Sequence, residues 1–190
     1  VVVIDDNRTR IFSKQGLAIG APIVRAGIYT QLVLTSKNRI VVVDDNSVQI
    51  FDQDGQLKGA PIPRTGSNRQ AVQIDGDRIV VIDDNGVRIF EEDGLAKGAP
   101  ITRTGTGRQQ VVISGDRIII IVDNQVRVFD RNGYPVGAPV THNGTTRQTV
   151  QTTSDRILIT DGNGTQIFDR GMLAQGGPIA KTGTDAQTVV

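Results

Sequence analysis

An all-β fold built from one four-stranded unit repeated five times is what this sequence predicts, on three observations. All five phenylalanines, Phe12, Phe51, Phe90, Phe129 and Phe168, stand 39 residues apart. The triplets Gly20-Ala21-Pro22, Gly59-Ala60-Pro61, Gly98-Ala99-Pro100 and Gly137-Ala138-Pro139 keep the same step, with Gly176-Gly177-Pro178 as the fifth and no insertion between them. Within each unit short β-branched runs alternate with Asp, Asn and Gly turns, and no sustained 3.6-residue apolar stripe signals a helix.

Residues 69–103 display the unit most clearly. Gln70 to Ile74 forms a first strand, and Asp75-Gly76-Asp77 turns the chain. The run from Arg78 to Ile82 lacks polar alternation, which predicts a strand buried on both faces. Asp83-Asp84-Asn85-Gly86 is a hairpin signal, because Asn and Gly tolerate positive φ, and Val87 to Phe90 is the returning strand. After Glu91-Glu92-Asp93-Gly94 comes the last strand, near Gly98 to Arg103. Its Pro100 cannot donate to a ladder, which places this strand at a sheet edge.

Four-stranded units of this length stacked radially are the signature of a β-propeller. With the strands lettered A to D from the axis outward, Val1 to Ile4 is a B strand and Gln187 to Val190 an A strand. The expected fold is therefore a five-bladed β-propeller of antiparallel blades, one domain over residues 1–190, closed by a clasp of three N-terminal strands and one C-terminal strand. Its repeat units are 1–39, 40–78, 79–117, 118–156 and 157–190. The second and third units agree at 26 of 39 positions, which points to recent duplication or engineering, so a recurring residue reflects inheritance as well as use.

Composition narrows the functional classes. The 190 residues carry a formal net charge of +1, which gives no bias toward polyanions or anionic membranes. No apolar run reaches the roughly 18 residues that cross a bilayer, so membrane insertion is not expected. With no cysteine, disulfides and thiolate metal sites are excluded, while the compartment stays open.

The stretch from Arg78 to Gly94, Arg-Ile-Val-Val-Ile-Asp-Asp-Asn-Gly-Val-Arg-Ile-Phe-Glu-Glu-Asp-Gly, resembles the central part of an NHL-type propeller blade and recurs in all five units. The resemblance implies the propeller fold and a habit of binding partners, without naming a ligand. WD40 blades are a poorer match because the chain has no tryptophan.

In the usual propeller path the B–C hairpins and D–A connections share one face. There recur the asparagines Asn7, Asn46, Asn85, Asn124 and Asn163, and a basic column of Arg25, Arg64, Arg103, His142 and Lys181. The glutamines Gln31, Gln70, Gln109, Gln148 and Gln187 open the A strands and are expected at the channel mouth, with Arg69, Arg108 and Arg147 beside three of them. Amides and guanidinium groups in five clefts suit the hydroxyls or carboxylates of a peptide, protein or sugar. The glutamines and both basic sets are therefore the candidate ligand-binding residues. Structural roles compete: the asparagines as turn formers, the basic column as partners of Asp5, Asp44, Asp83, Asp123 and Asp161 tying neighbouring blades, the glutamines as bonds to the next blade's backbone. Arg39, Arg78, Arg117 and Arg156 are expected to bridge turn carboxylates or cover apolar surface.

No catalytic or metal site emerges, and no cofactor is expected. His142 is the lone histidine, and Glu91 and Glu92, the only glutamates, are adjacent on one turn, whereas a glycosidase needs two carboxyls facing each other across a sugar. Nucleic acid is not an expected partner, because the B–C aspartates cancel the basic face and stacking aromatics are few. The expectation is a monomeric, non-catalytic binding or scaffold propeller recognising a protein or peptide; the alternatives are a multivalent lectin and an amplified or engineered propeller without a specific ligand.

Overall fold

The computed structural model describes residues 1–25, 27, 31–36, 39–66, 71–103, 109–122, 125–141 and 148–182. They fall into two compact units, Val1–Thr102 and Arg103–Val190. In the first unit, β1 (Val2–Ile4), β2 (Arg8–Phe12) and β3 (Ala18–Val24) make one sheet. A second contains β4 (Leu32–Thr35), β5 (Arg39–Val43), β6 (Ser47–Asp52) and β7 (Leu57–Pro63), and a third β8 (Ala71–Asp75), β9 (Arg78–Asp83), β10 (Gly86–Glu91) and β11 (Ala96–Thr102). The second unit holds a sheet of β12 (Gln110–Ser114), β13 (Arg117–Val122), β14 (Gln125–Asp130) and β15 (Val140–Thr141), and another of β16 (Thr149–Thr152), β17 (Arg156–Thr160), β18 (Gly164–Asp169) and β19 (Ile179–Ala180). Strands adjacent in sequence pair antiparallel in every sheet, and the described residues contain no helix. The clasp strand expected from residues 187–190 lies outside the described residues.

The unalternating β-branched runs become the B strands, and their burial explains the missing alternation. Ile40 and Val42 of β5 pack with Ile11, Ile23 and Phe51, joining the first and second sheets. Val41 and Val43 of the same strand pack with Val48, Ile79, Val81 and Phe90, joining the second and third. β5 thus feeds two cores with alternate residues. In the second unit Ile119, Ile121, Val126, Val128, Ile157, Ile159 and Phe168 form the equivalent layer. Phe51, Phe90, Phe129 and Phe168 are buried as expected of core anchors, while Phe12 is half-buried beneath the Arg10 guanidinium, 5.8 Å from its ring centre.

The outer strands carry a feature that a period-two pattern does not reveal. Val87 pairs with Ile101 and Ile89 with Lys97, so Gly98, Ala99 and Pro100 stand opposite Arg88 alone. The Gly-Ala-Pro triplet is a bulge with two surplus residues. The first and second sheets repeat it, with the triplets of β3 and β7 opposite Arg10 and Gln49. Pro100 therefore lies on an edge strand, as its missing donor requires. In the second unit the bulge divides the outer strand: Phe129 bridges Pro135 and Phe168 bridges Ala174, and only two residues pair regularly beyond.

The bulge brings neighbouring blades into backbone contact. A methyl group on Gly59, φ +66°, would stand 2.9 Å from the carbonyl oxygen of Gly94, and one on Gly94 would collide with the carbonyl of Lys58. Met172 occupies the repeat position of Gly94 in the last blade and is the one described non-glycine residue with positive φ, +66°. That conformation costs a side-chain-bearing residue about 1–2 kcal/mol.

Arginines brace the same junctions. Arg39 donates from Nε to the Glu92 carbonyl of the next blade, and its repeat counterpart Arg117 donates to the Arg170 carbonyl at 2.9 Å. Arg170 returns the contact, donating to the Ser114 carbonyl at 2.6 Å and to Asp116 Oδ1 at 2.8 Å. Arg39, Arg78, Arg117 and Arg156 all pair with turn carboxylates, those of Glu92, Asp75, Asp116 and Asp155.

Two outcomes follow for this packing. Gly16 has nearly the backbone of Gly94, φ +80° against +82°, yet a methyl on it meets nothing within 4 Å. Gly16→Ala is expected to cost about 1–2 kcal/mol in urea denaturation, and Gly94→Ala about 1–3 kcal/mol beyond that. Secondly, the Arg170 hydrogen bond holds the Asp116 carboxyl below the ordinary aspartate value of 3.8, against the opposing effect of burial. A carboxyl with a depressed folded-state pKa stabilises above its unfolded value and loses that contribution as pH falls through the folded one. Asp116→Asn should therefore lower the melting temperature at pH 7, and the gap to the parent chain should close below about pH 4.

Candidate binding face

The B–C hairpins that begin the candidate face are held by their own aspartates. Asp5 Oδ1 accepts from the N–H groups of Asn7 and Arg8 at 3.1 and 3.0 Å, and Asp44 Oδ1 from those of Asn46 and Ser47 at 2.9 Å each. Asp161 Oδ1 accepts from Asn163 and Gly164 at 2.7 and 3.2 Å, and Asp83 Oδ1 from Asn85 at 3.1 Å. The Asn7 N–H, with help from Arg8, keeps the Asp5 carboxyl below its ordinary pKa. These Asx turns free the asparagine side chains from turn-making, and Asn7, Asn46, Asn85 and Asn163 are all exposed.

The basic column ends the outer strands beside those asparagines. The N–H of Arg25 donates to the Asn7 carbonyl at 2.9 Å, that of Arg64 to Asn46 at 2.8 Å and that of Lys181 to Asn163 at 2.9 Å. One backbone bond, repeated in three blades, thus sets an exposed amide next to a half-exposed cation. Arg103 is likewise half-exposed after β11, whereas Asn124, Asp123 and His142 lie outside the described residues. An open depression of about 520 Å³ adjoins the hairpin of the first sheet, with Asp5, Asp6, Asn7, Arg8 and Val24 in its walls.

Two hairpin carboxylates, Asp5 and Asp83, pair with cations outside the basic column. Asp5 pairs with Arg8 and Arg10 of its own blade at 3.4 and 3.5 Å, and Asp83 with Arg88 at 2.8 Å. Arg88 also donates to the Pro63 carbonyl of the preceding blade at 2.7 Å, so at this junction a C-strand arginine ties the two blades. Position 88 alternates with Val87 and Ile89 on its strand, a solvent-face signal with no marker of its partner.

The glutamine column is set deeper than the other two. Gln31 is 4% and Gln148 1% exposed; Gln109 is half-buried, while Gln70, Gln187, Arg69, Arg108 and Arg147 lie outside the described residues. Instead of the next blade's backbone, the Gln31 Oε1 accepts from the Thr9 hydroxyl of the preceding blade at 2.7 Å. Val126 occupies the repeat position of Thr9 relative to Gln148 and has no hydroxyl to offer, and both amide atoms of Gln148 lack a hydrogen-bond partner in the protein. Thr9→Val should destabilise by about 1–3 kcal/mol, because it orphans a buried acceptor, whereas Val126→Thr should be neutral or stabilising by up to about 1 kcal/mol, both read by urea denaturation. Among the described residues no cluster of three His, Asp or Glu could hold a metal ion, and no helix is long and apolar enough to cross a membrane.

No protein-family model matches the chain, and no curated protein matches it in sequence. Solved structures do. The computationally designed Ika8 protein superposes with a TM-score of 0.56 at 16% identity, covering 99% of this chain and 65% of its own. BamB from Moraxella catarrhalis gives 0.51 at 11% identity over 92% of this chain and 62% of its own. The WD40 domain of Neurospora crassa Pan2 gives 0.52 at 15% identity, with 89% and 58% covered. By fold, the chain is a β-propeller. It spans about three fifths to two thirds of these three neighbours, and the likeness is one of architecture.

Proposed function

We propose that this propeller is a non-catalytic, monomeric binding or scaffold protein whose B–C and D–A face recognises a protein or peptide. The observation that carries the reading is the repeated Asn–cation pair, Asn7 with Arg25, Asn46 with Arg64 and Asn163 with Lys181, joined each time through the same backbone hydrogen bond. Such pairs offer a donor and acceptor amide beside a cation on a rigid hairpin, a chemistry suited to peptide groups and carboxylates. Repetition favours an extended or multivalent partner, since several weak contacts combine through effective concentration. The NHL-like character of Arg78 to Gly94 agrees with a partner-binding role. Nucleic acid fits less well, because Asp5, Asp44 and Asp83 stand among the cations.

The test is selection of peptides from a displayed library on the whole chain, followed by binding to the Asn46→Ala/Arg64→Ala variant. The expected result is specific peptides whose affinity falls at least tenfold in the variant while its melting temperature stays within about 2 °C of the parent. Peptides that bind the variant equally would place recognition elsewhere. An empty selection, together with sugar-competable binding on a glycan array, would replace this reading with a lectin.

A further inference from the structure

In the first unit the chain that leaves an outer strand leans on the hairpin of the next blade. Arg88 donates to the Pro63 carbonyl at 2.7 Å, and a methyl group on Gly66 would collide with the Asp84 side chain. Arg64 stands between those two contacts. It is therefore held beside the hairpin of residues 83–86 as well as its own, where its N–H donates to the Asn46 carbonyl at 2.8 Å. One junction earlier, a methyl group on Gly27 would collide with the side chain of Asp45, so the segment that carries Arg25 meets the residue just before Asn46. Cation and amide thus alternate across three blades in the order Arg25, Asn46, Arg64, Asn85.

The side chains of this row are uncommitted, while the acids beside them are engaged. Among the described residues the guanidinium groups of Arg25 and Arg64 make no hydrogen bond or ion pair, and the side-chain amides of Asn46 and Asn85 make no hydrogen bond. Asp44, Asp45 and Asp83 are only 2%, 6% and 9% exposed. Asp44 and Asp83 accept from the hairpin N–H groups of Asn46 and Asn85, and Asp83 pairs with Arg88 as well. Turned inward, these carboxylates weaken the field that would gather a polyanion but leave the donors of the row open. A guanidinium group binds a carboxylate through paired, directional hydrogen bonds, and an amide can take up both the N–H and the C=O of an adjoining backbone. We propose that the row is one composite surface for an extended acidic peptide, in which an arginine of one blade takes each carboxylate and the asparagine of the next blade takes the backbone beside it. The proposal rests on the peptide-binding reading above and adds to it the sign of the partner's charge and the sharing of each subsite between two blades.

The probe is a fluorescein-labelled octapeptide of alternating glutamate and threonine, whose β-branched threonines favour extension, titrated with the whole chain by fluorescence anisotropy. The expected result is saturable binding that weakens about tenfold or more in Arg64→Gln and about threefold or more in Asn85→Ala, both variants melting within about 2 °C of the parent. The same peptide with glutamine in place of glutamate should bind about tenfold more weakly or worse. Equal binding of the glutamine peptide would overturn the acidic partner, and unchanged affinity in Asn85→Ala would overturn the sharing between blades. No binding at millimolar peptide, or tighter binding of an oligothymidylate of the same length, would overturn the proposal as a whole. Library-selected peptides that still depend on Asn46 and Arg64 would in that case leave the peptide-binding reading standing, whereas selected peptides indifferent to both would remove it too.

Discussion

Adjacent blades of the first unit meet backbone to backbone at a point where a side chain on either glycine would collide with the other blade. Gly59, in the bulge of one blade, lies against Gly94, in the C–D turn of the next. The contact accounts for the most regular elements of the sequence at once. Gly-Ala-Pro is needed to make the bulge and to stop pairing at the outer edge, and the turn glycine is needed to receive it. The bulge and the turn consequently admit no insertion, because an extra residue in either would separate the two. At the last junction Met172 stands where the others have glycine, and it keeps the left-handed backbone despite its side chain. The geometry persists where the residue best suited to it is missing.

Around that contact the packing is layered and shared. β5, with residues on both faces buried, gives half of them to the core before it and half to the core behind it, so its blade cannot be separated from either neighbour without exposing apolar surface on both. Arginines at the B-strand starts and in the C–D turns cross the same junctions to backbone carbonyls, where a charged donor is worth about twice a neutral one. Rigid hairpins result, and the exposed asparagines and cations are presented from them. Polar side chains on a rigid frame lose little entropy when a partner arrives, and this links the repeat architecture to binding.

Strand positions were legible in the sequence because burial and turn chemistry coincide locally. The first three strands expected over residues 69–103 lie within a residue or two of β8, β9 and β10. The outer strand begins earlier than expected, at Ala96, because pairing resumes on the near side of a bulge that only the register discloses. The repeated columns of the candidate face were legible as columns, but depth was not: Gln31 and Gln148 are buried and Asn7 and Asn46 exposed, although all are polar and all recur. What a buried glutamine bonds to depends on which residue of the preceding blade lies opposite, Thr9 for Gln31 and Val126 in the equivalent place for Gln148. That information is spread over 22 residues and two sheets. The ion pairs of Asp5 and Asp83 were hidden for a related reason, since the arginines concerned look like ordinary solvent-face residues of their strands.

Inserting a single alanine tests the dependence of the fold on the inter-blade backbone contact most directly. Placed between Asp93 and Gly94 it lengthens the turn that meets Gly59; placed after Gly76, around which a methyl group would meet nothing within 4 Å, it lengthens a turn outside that glycine contact. Urea denaturation of the two variants should show the first losing at least about 2 kcal/mol more than the second, in keeping with the cost of forcing a packed contact apart. Equal losses would mean that the glycine contact is incidental and that the buried strands alone hold the blades in register.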